Sequence, residues 1–163
     1  GSGTAALQMC LRALDVGEGD EVILPTYVCR KVYGAITACG ATPVLCDIGE
    51  EWNMTAETVS SVMSQRTAAI IVVHIFGIPA GDIEEIMNFG VPVIEDACQG
   101  HGAKFDDQKV GTWGDCAAFS FNQNKNLKEQ ISLKKISNKN GSEIVKIKNI
   151  KRTLLFFIID YTP

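Results

Sequence analysis

Histidine is scarce in this chain of 163 residues: His74 and His101 are the only two. Neither has a cysteine at ligand spacing, so no zinc or other metal site is expected. Cys-x-x-Cys pairs are absent, although there are six cysteines, at positions 10, 29, 39, 46, 98 and 116. Most of them lie in apolar runs and read as reduced, buried thiols of a cytoplasmic protein rather than as a disulfide framework. Long apolar runs are missing as well. The longest near the end, Leu154 to Ile159, has six residues, far short of the roughly 20 that span a bilayer, so no membrane partner is expected. No basic stretch followed by an apolar one opens the chain, so no secretory signal is expected. Neither sign of charge dominates: 15 basic and 19 acidic residues leave a net −4, which argues against a nucleic-acid binder.

What is present is globular composition with 46% hydrophobic residues, enough for one domain with a core. The charges divide near residue 125. Residues 1–124 carry 6 basic and 16 acidic side chains, net −10; residues 125–163 carry 9 and 3, net +6. Fourteen of the 15 glycines precede the divide.

The first part alternates helices and strands. Leu7, Leu11 and Leu14 predict a helix over 4–14, ended by Gly17 and Gly19. Strands are expected at 21–25, 42–46, 68–74, 91–96 and 117–121. Helices are expected at 28–39, from a cap at Thr55 to Met63, and at 81–89. A small hairpin is expected around Asp106 and Asp107. This βαβ spacing predicts an α/β fold, a mostly parallel sheet with helices on both faces. Residues 128–140 read as a ragged helix or as no element.

Ligands of such sheets bind beyond the carboxyl ends of the strands. Gly-Ser-Gly-Thr at residues 1–4 opens a helix, where it is either an anion site or an ordinary cap. Asp96 ends an apolar strand, as a structural cap or a ligand contact. Ser120 lies within a strand and Lys125 just past its end. The Gly-x-Gly has no preceding strand and no third glycine, so a dinucleotide site is not supported. A phosphate cradle, an anion for a ring nitrogen and an amine suit pyridoxal phosphate.

Seven ordered blocks carry a resemblance. They are Gly-Ser-Gly-Thr-Ala-Ala-Leu (1–7), Gly-Asp-Glu-Val-Ile-Leu-Pro (19–25), Gly-Ala-Thr-Pro-Val (40–44) and His-Ile-Phe-Gly-Ile-Pro-Ala (74–80). Val-Ile-Glu-Asp-Ala-Cys-Gln-Gly-His-Gly-Ala (93–103), Val-Gly-Thr-Trp-Gly-Asp (110–115) and Phe-Ser-Phe-Asn-Gln-Asn-Lys (119–125) complete them. Residues 1–127 resemble the DegT/DnrJ/EryC1/StrS sugar aminotransferases. The resemblance implies a truncated large domain of a pyridoxal-phosphate-dependent transferase of fold type I. It implies that Ser2, Gly3, Thr4 and Ala5 form the phosphate loop and that Ser120 is a second phosphate ligand. Asp96 would pair with the ring nitrogen, and Gln99 would hydrogen-bond the ring hydroxyl. Lys125 would form the Schiff base and carry the proton in catalysis. Cys29 stands where many members stack an aromatic ring on the cofactor. His74 reads as a satisfied core histidine, Glu95 and His101 as supporting or structural groups.

The implied reaction moves an amino group, with glutamate as donor, onto a nucleotide-linked keto sugar for surface polysaccharide or antibiotic sugars, in a cytoplasmic homodimer. Sugar dehydration is the alternative chemistry, but relatives of that kind replace the lysine with histidine. An inactive remnant or binding protein is the non-enzymatic alternative. After Leu127 the resemblance stops. Lys-Glu-Gln-Ile at 128–131 replaces the family's glycines, and residues 128–163 read as an atypical basic tail, frameshifted or partly disordered. The family's next strand would be missing, which exposes a sheet edge that Leu154 to Ile159 could cover.

Overall fold

The computed structural model describes residues 3–120, together with short strands at 144–145 and 155–157. Ser2, Lys125 and the segment 128–140 lie outside the described residues. The elements run α1 (Gly3–Ala13), β1 (Glu21–Pro25), α2 (Arg30–Thr37), β2 (Thr42–Cys46), α3 (Ala56–Val62) and β3 (Thr67–Val73). A 3-10 turn (Ile75–Gly77), α4 (Ile83–Met87), β4 (Val93–Asp96), β5 (Lys104–Phe105), β6 (Gln108–Lys109) and β7 (Cys116–Ala118) follow. The strands β8 (Ile144–Val145) and β9 (Leu155–Phe157) come last.

Seven strands form one sheet in the order β2-β1-β3-β4-β7-β9-β8. The pairs from β2 through to β9 are parallel; β8 joins β9 antiparallel. The expected parallel sheet is therefore present, and β9 occupies the edge beside β7 that the apolar 154–159 segment could cover. Pro43 is tolerated in β2 because that strand is the sheet's outer one.

Side chains of a strand alternate between faces, and here the alternation separates two cores. Val22, Leu24, Ala69, Ile71, Val73 and Ile94 pack with α1 and α2. Ile23, Ile70, Val72 and Val93 pack with α3 and α4 on the other side. β4 therefore presents Asp96 on the α1/α2 face and Glu95 on the α3/α4 face.

Three expected boundaries need correction. Gly17 and Gly19 do not end α1. Asp15 does, in left-handed conformation (φ 57°), with Val16 N–H bonded to Leu11 O at 3.0 Å and Asp15 N–H to Arg12 O at 3.1 Å. This is a Schellman closure with aspartate in the usual glycine place. β4 begins at Val93 rather than Val91, since Pro92 has no N–H for the ladder. β7 stops at Ala118, which leaves Ser120 beyond the strand rather than within it. Two expectations hold. Thr55 caps α3 through a reciprocal pair, Thr58 N–H to Thr55 Oγ1 at 3.2 Å and Thr55 N–H to Thr58 Oγ1 at 3.0 Å. The hairpin β5–β6 turns through Asp106 and Asp107, both at positive φ.

Candidate functional site

The parallel sheet has its crevice at the carboxyl ends of its strands. A cavity of about 200 Å³ lies there on the α1/α2 face. α1 contributes Gly3, Thr4 and Leu7; the β1–α2 connection contributes Val28 and Cys29; α2 contributes Lys31 and Val32. Val73 and Ile75 come from the end of β3, Asp96, Cys98 and Gln99 from the end of β4, and Ser120 from beyond β7. Six of the candidate residues, Gly3, Thr4, Cys29, Asp96, Gln99 and Ser120, thus share one cavity although 117 positions separate the first from the last. Ala5 is in the first turn of α1 but not among the lining residues. Ser2 and Lys125 lie outside the described residues.

The α1 terminus meets Ser120 closely. A Cβ built on Gly3 would stand 2.8 Å from Cys98 Sγ, 3.5 Å from Ser120 Cβ and 3.9 Å from Ser120 Oγ. The clash is with the Cys98 thiol, so glycine is what lets the helix start against the turn after β4; the Ser120 atoms would be at ordinary contact distance. The start of α1, with the positive end of its dipole, and the Ser120 hydroxyl line the same cavity, which is the chemistry of a phosphate cradle. Ser120 is held from behind, where His101 Nε2–H donates to its carbonyl oxygen at 2.9 Å.

Asp96 is 7% exposed. Its Oδ1 accepts the N–H of Cys98 at 3.0 Å, which fixes the carboxylate against the turn that follows β4. Among the described residues its other oxygen has no hydrogen-bond donor, and the residue lines the cavity. Gln99 Oε1 accepts the N–H of Phe76 at 2.9 Å. That bond fixes the amide flip, so Nε2 is the end left to donate. A donor here suits an anionic ring oxygen.

Glu95 has the opposite character. It is fully buried and takes four donors. Oε2 accepts from His74 Nε2–H at 3.0 Å and Gly111 N–H at 2.6 Å; Oε1 accepts from Trp113 and Gly114 N–H, each at 2.7 Å. His74 Nδ1 accepts the N–H of Ala80 at 3.2 Å, so the ring proton sits on Nε2 and both nitrogens are satisfied. A Cβ on Gly114 would meet Val93 O at 2.6 Å, which keeps this loop tight against β4. His74 is thus the core histidine expected, and Glu95 anchors the loop beneath the strand that carries Asp96. The sequence shows a glutamate in an apolar strand, but not its four donors, which come from two separate segments, His74 and the loop 111–114.

None of the six cysteines forms a disulfide among the described residues; Cys29 is exposed at the cavity and Cys10, Cys46, Cys98 and Cys116 are buried. Contact with Cys116 and burial push the Cys10 thiol up, and burial pushes up Cys46. Both thiols stay protonated. Among the described residues no helix is long and apolar enough to cross a membrane.

Comparison with known proteins agrees with this geometry. The profile of the DegT/DnrJ/EryC1/StrS aminotransferase family matches residues 1–129. The chain belongs to that family. It is 44% identical over 131 residues to a UDP-N-acetyl-3-dehydro-alpha-D-glucosamine 3-aminotransferase of Acidithiobacillus ferrooxidans, covering 77% of this chain and 35% of that protein. An aminotransferase structure from Psychrobacter cryohalolentis superposes with a TM-score of 0.74 at 38% identity, over 77% of this chain and 33% of the other. The PLP-form of a sugar aminotransferase from Streptococcus pneumoniae gives 0.72 at 30% identity, over 77% and 37%. The chain spans about a third of the length of these family members. Family and neighbours support pyridoxal phosphate as the cofactor, and the residues here fit it: a helix start with a hydroxyl, one partly engaged carboxylate and one amide donor.

Proposed function

We propose that this chain is the cofactor-binding part of an aminotransferase that acts on a nucleotide-linked keto sugar, with glutamate as donor. The observation that carries this is the single cavity holding the α1 start, Asp96, Gln99 and Ser120. Bound there, pyridoxal phosphate supplies an electron-accepting ring. The chain's own groups would divide the work. The first turn of α1, with Ser2, Thr4 and Ala5, and the Ser120 hydroxyl grip the phosphate. The Asp96 carboxylate keeps a proton on the ring nitrogen. Gln99 Nε2–H donates to the ring oxygen, and Cys29 covers the ring as a smaller lid than an aromatic side chain. Lys125, five residues after Ser120, supplies the amine that attaches the cofactor and then carries a proton as base and acid. A lysine at that place favours transamination over sugar dehydration. The working form is a cytoplasmic homodimer, with products destined for surface polysaccharide.

Titration of the full chain with pyridoxal phosphate tests this. An absorbance band at the edge of the visible is expected, and Lys125→Ala removes it. Glutamate then converts the cofactor to its amine form and bleaches the band. Equal spectra for wild type and Lys125→Ala overturn the lysine assignment. A band that glutamate leaves unchanged overturns transamination and favours the inactive or binding protein.

A further inference from the structure

The Ser120 hydroxyl is carried by a segment that the sheet no longer holds. β7 ends at Ala118, whose carbonyl accepts the N–H of Ala97 at 2.9 Å. Two residues further on, no backbone N–H of the described residues is bonded to the Ser120 carbonyl. The imidazole of His101 takes that place, with Nε2–H donating to Ser120 O at 2.9 Å. A side chain thus stands in for the ladder bond that the end of the strand has lost.

His101 is itself fixed from two directions. Its ring lies against Phe119, with centroids 5.3 Å apart. Phe119 in turn covers Gly111, where any Cβ would run into the Phe119 ring, and Gly111 N–H is bonded to the buried Glu95. The backbone of His101 belongs to the turn after β4. Gly100 N–H donates there to Ala97 O at 3.0 Å, and Ala103 N–H to Gly100 O at 3.1 Å. A Cβ on Gly100 would stand 3.3 Å from both His74 Cβ and Val110 Cγ2, so this turn has little room to shift. The same turn follows directly from Asp96 and contains Gln99. One short stretch of chain therefore carries two groups of the cavity and reaches across to a third, Ser120, while His101 does not line the cavity.

We propose that His101 is a positioning residue for cofactor binding: by holding the Ser120 carbonyl it sets the Ser120 hydroxyl at the separation from Asp96 and Gln99 that a rigid ring with one phosphate arm requires. This rests on the cofactor reading above. Binding groups have to be held to within about 0.5 Å of their working geometry by the residues behind them, and the end of a strand beyond its ladder does not hold itself. His101 acts on the ligand only through Ser120. Its loss is felt by ligands that carry a phosphate and not by the ring alone.

The test titrates the full chain with pyridoxal phosphate, followed at its absorbance band, and with pyridoxal and inorganic phosphate, followed by calorimetry. His101→Phe keeps a ring against Phe119 and removes the donor. Pyridoxal phosphate is expected to bind about tenfold more weakly, the worth of one hydrogen bond at a charged ligand, while pyridoxal binds as in wild type. His101→Gln returns a donor near the Nε2 position and restores the affinity. Ser120→Ala weakens pyridoxal phosphate to a similar degree, and combining it with His101→Phe adds no further loss. If Phe upsets the fold, His101→Asn, whose amide stops short of Ser120, carries the same comparison. Wild-type affinity in His101→Phe overturns the proposal, as do losses that add in the double variant. An equal loss for pyridoxal overturns it in favour of a structural role. The cofactor reading fails separately. Inorganic phosphate binding that needs both His101 and Ser120, without the absorbance band, refutes that reading and leaves the positioning role standing. A wild-type chain that binds neither pyridoxal phosphate nor inorganic phosphate overturns both.

Discussion

Glu95 and Asp96 are consecutive carboxylates on one strand, and they could hardly differ more in use. Glu95 points to the α3/α4 face, is sealed from water and has its acceptor sites filled by His74 and three backbone N–H groups. Asp96 points to the α1/α2 face, takes one backbone N–H and opens on the cavity. A fully committed buried carboxylate is structure; a partly committed one at a strand's carboxyl end is what the proposed cofactor role of Asp96 requires. The alternation of a strand is enough to assign the two roles to neighbouring residues.

The strongest way to break this contrast is Glu95→Ala. It orphans four buried donors, and removing one partner of such a network costs roughly 3–5 kcal/mol. The expected outcome is a chain that melts at far lower temperature or fails to fold, read by circular dichroism. Asp96→Asn sharpens the contrast from the other side. The amide oxygen still accepts the Cys98 N–H, so stability should change by less than about 1 kcal/mol. The charge-assisted bond to a ring nitrogen is lost, which weakens pyridoxal phosphate by roughly tenfold or more. Comparable melting losses in the two variants would erase the distinction.

A third carboxylate sets the small end of the scale. Glu21 begins β1, at the opposite rim of the sheet. The Ser64 hydroxyl and then the Arg66 guanidinium, with Arg66 Nε 3.0 Å from Glu21 Oε1, hold it below its ordinary value of 4.5. A depressed carboxyl contributes stability above its unfolded-state value, and that contribution disappears as pH falls through the lower folded-state value. Wild type should therefore lose more melting temperature than Glu21→Gln on acidification below about pH 4.5. The difference is small, since the Arg66 side chain is 71% exposed and solvent screens the pair.

Much of the frame was legible because it is local. Apolar runs marked β1 and β3, Thr55 marked the start of α3, and Asp106-Asp107 marked the hairpin. Each signal depends on a few adjacent residues. The errors were local as well, where one residue took a place that several could take: Asp15, not a glycine, closes α1. The phosphate-loop residues, Asp96, Gln99 and Ser120 were named through a resemblance in ordered blocks, and the cavity then gathered those that the structure describes. The donors of Glu95 were not legible, because His74 and the loop 111–114 are far apart along the chain and no spacing rule links them to position 95.

The sequence by itself determined the order of strands and helices, the charge break near residue 125 and the family to which residues 1–129 belong. Those follow from periodicity, composition and short motifs, which are read along one dimension. Tertiary structure alone decided which carboxylate is sealed and which is open, and which way the Gln99 amide is turned. Contacts between distant segments settle such questions, for a group's partners depend on what the fold places within about 3 Å of it.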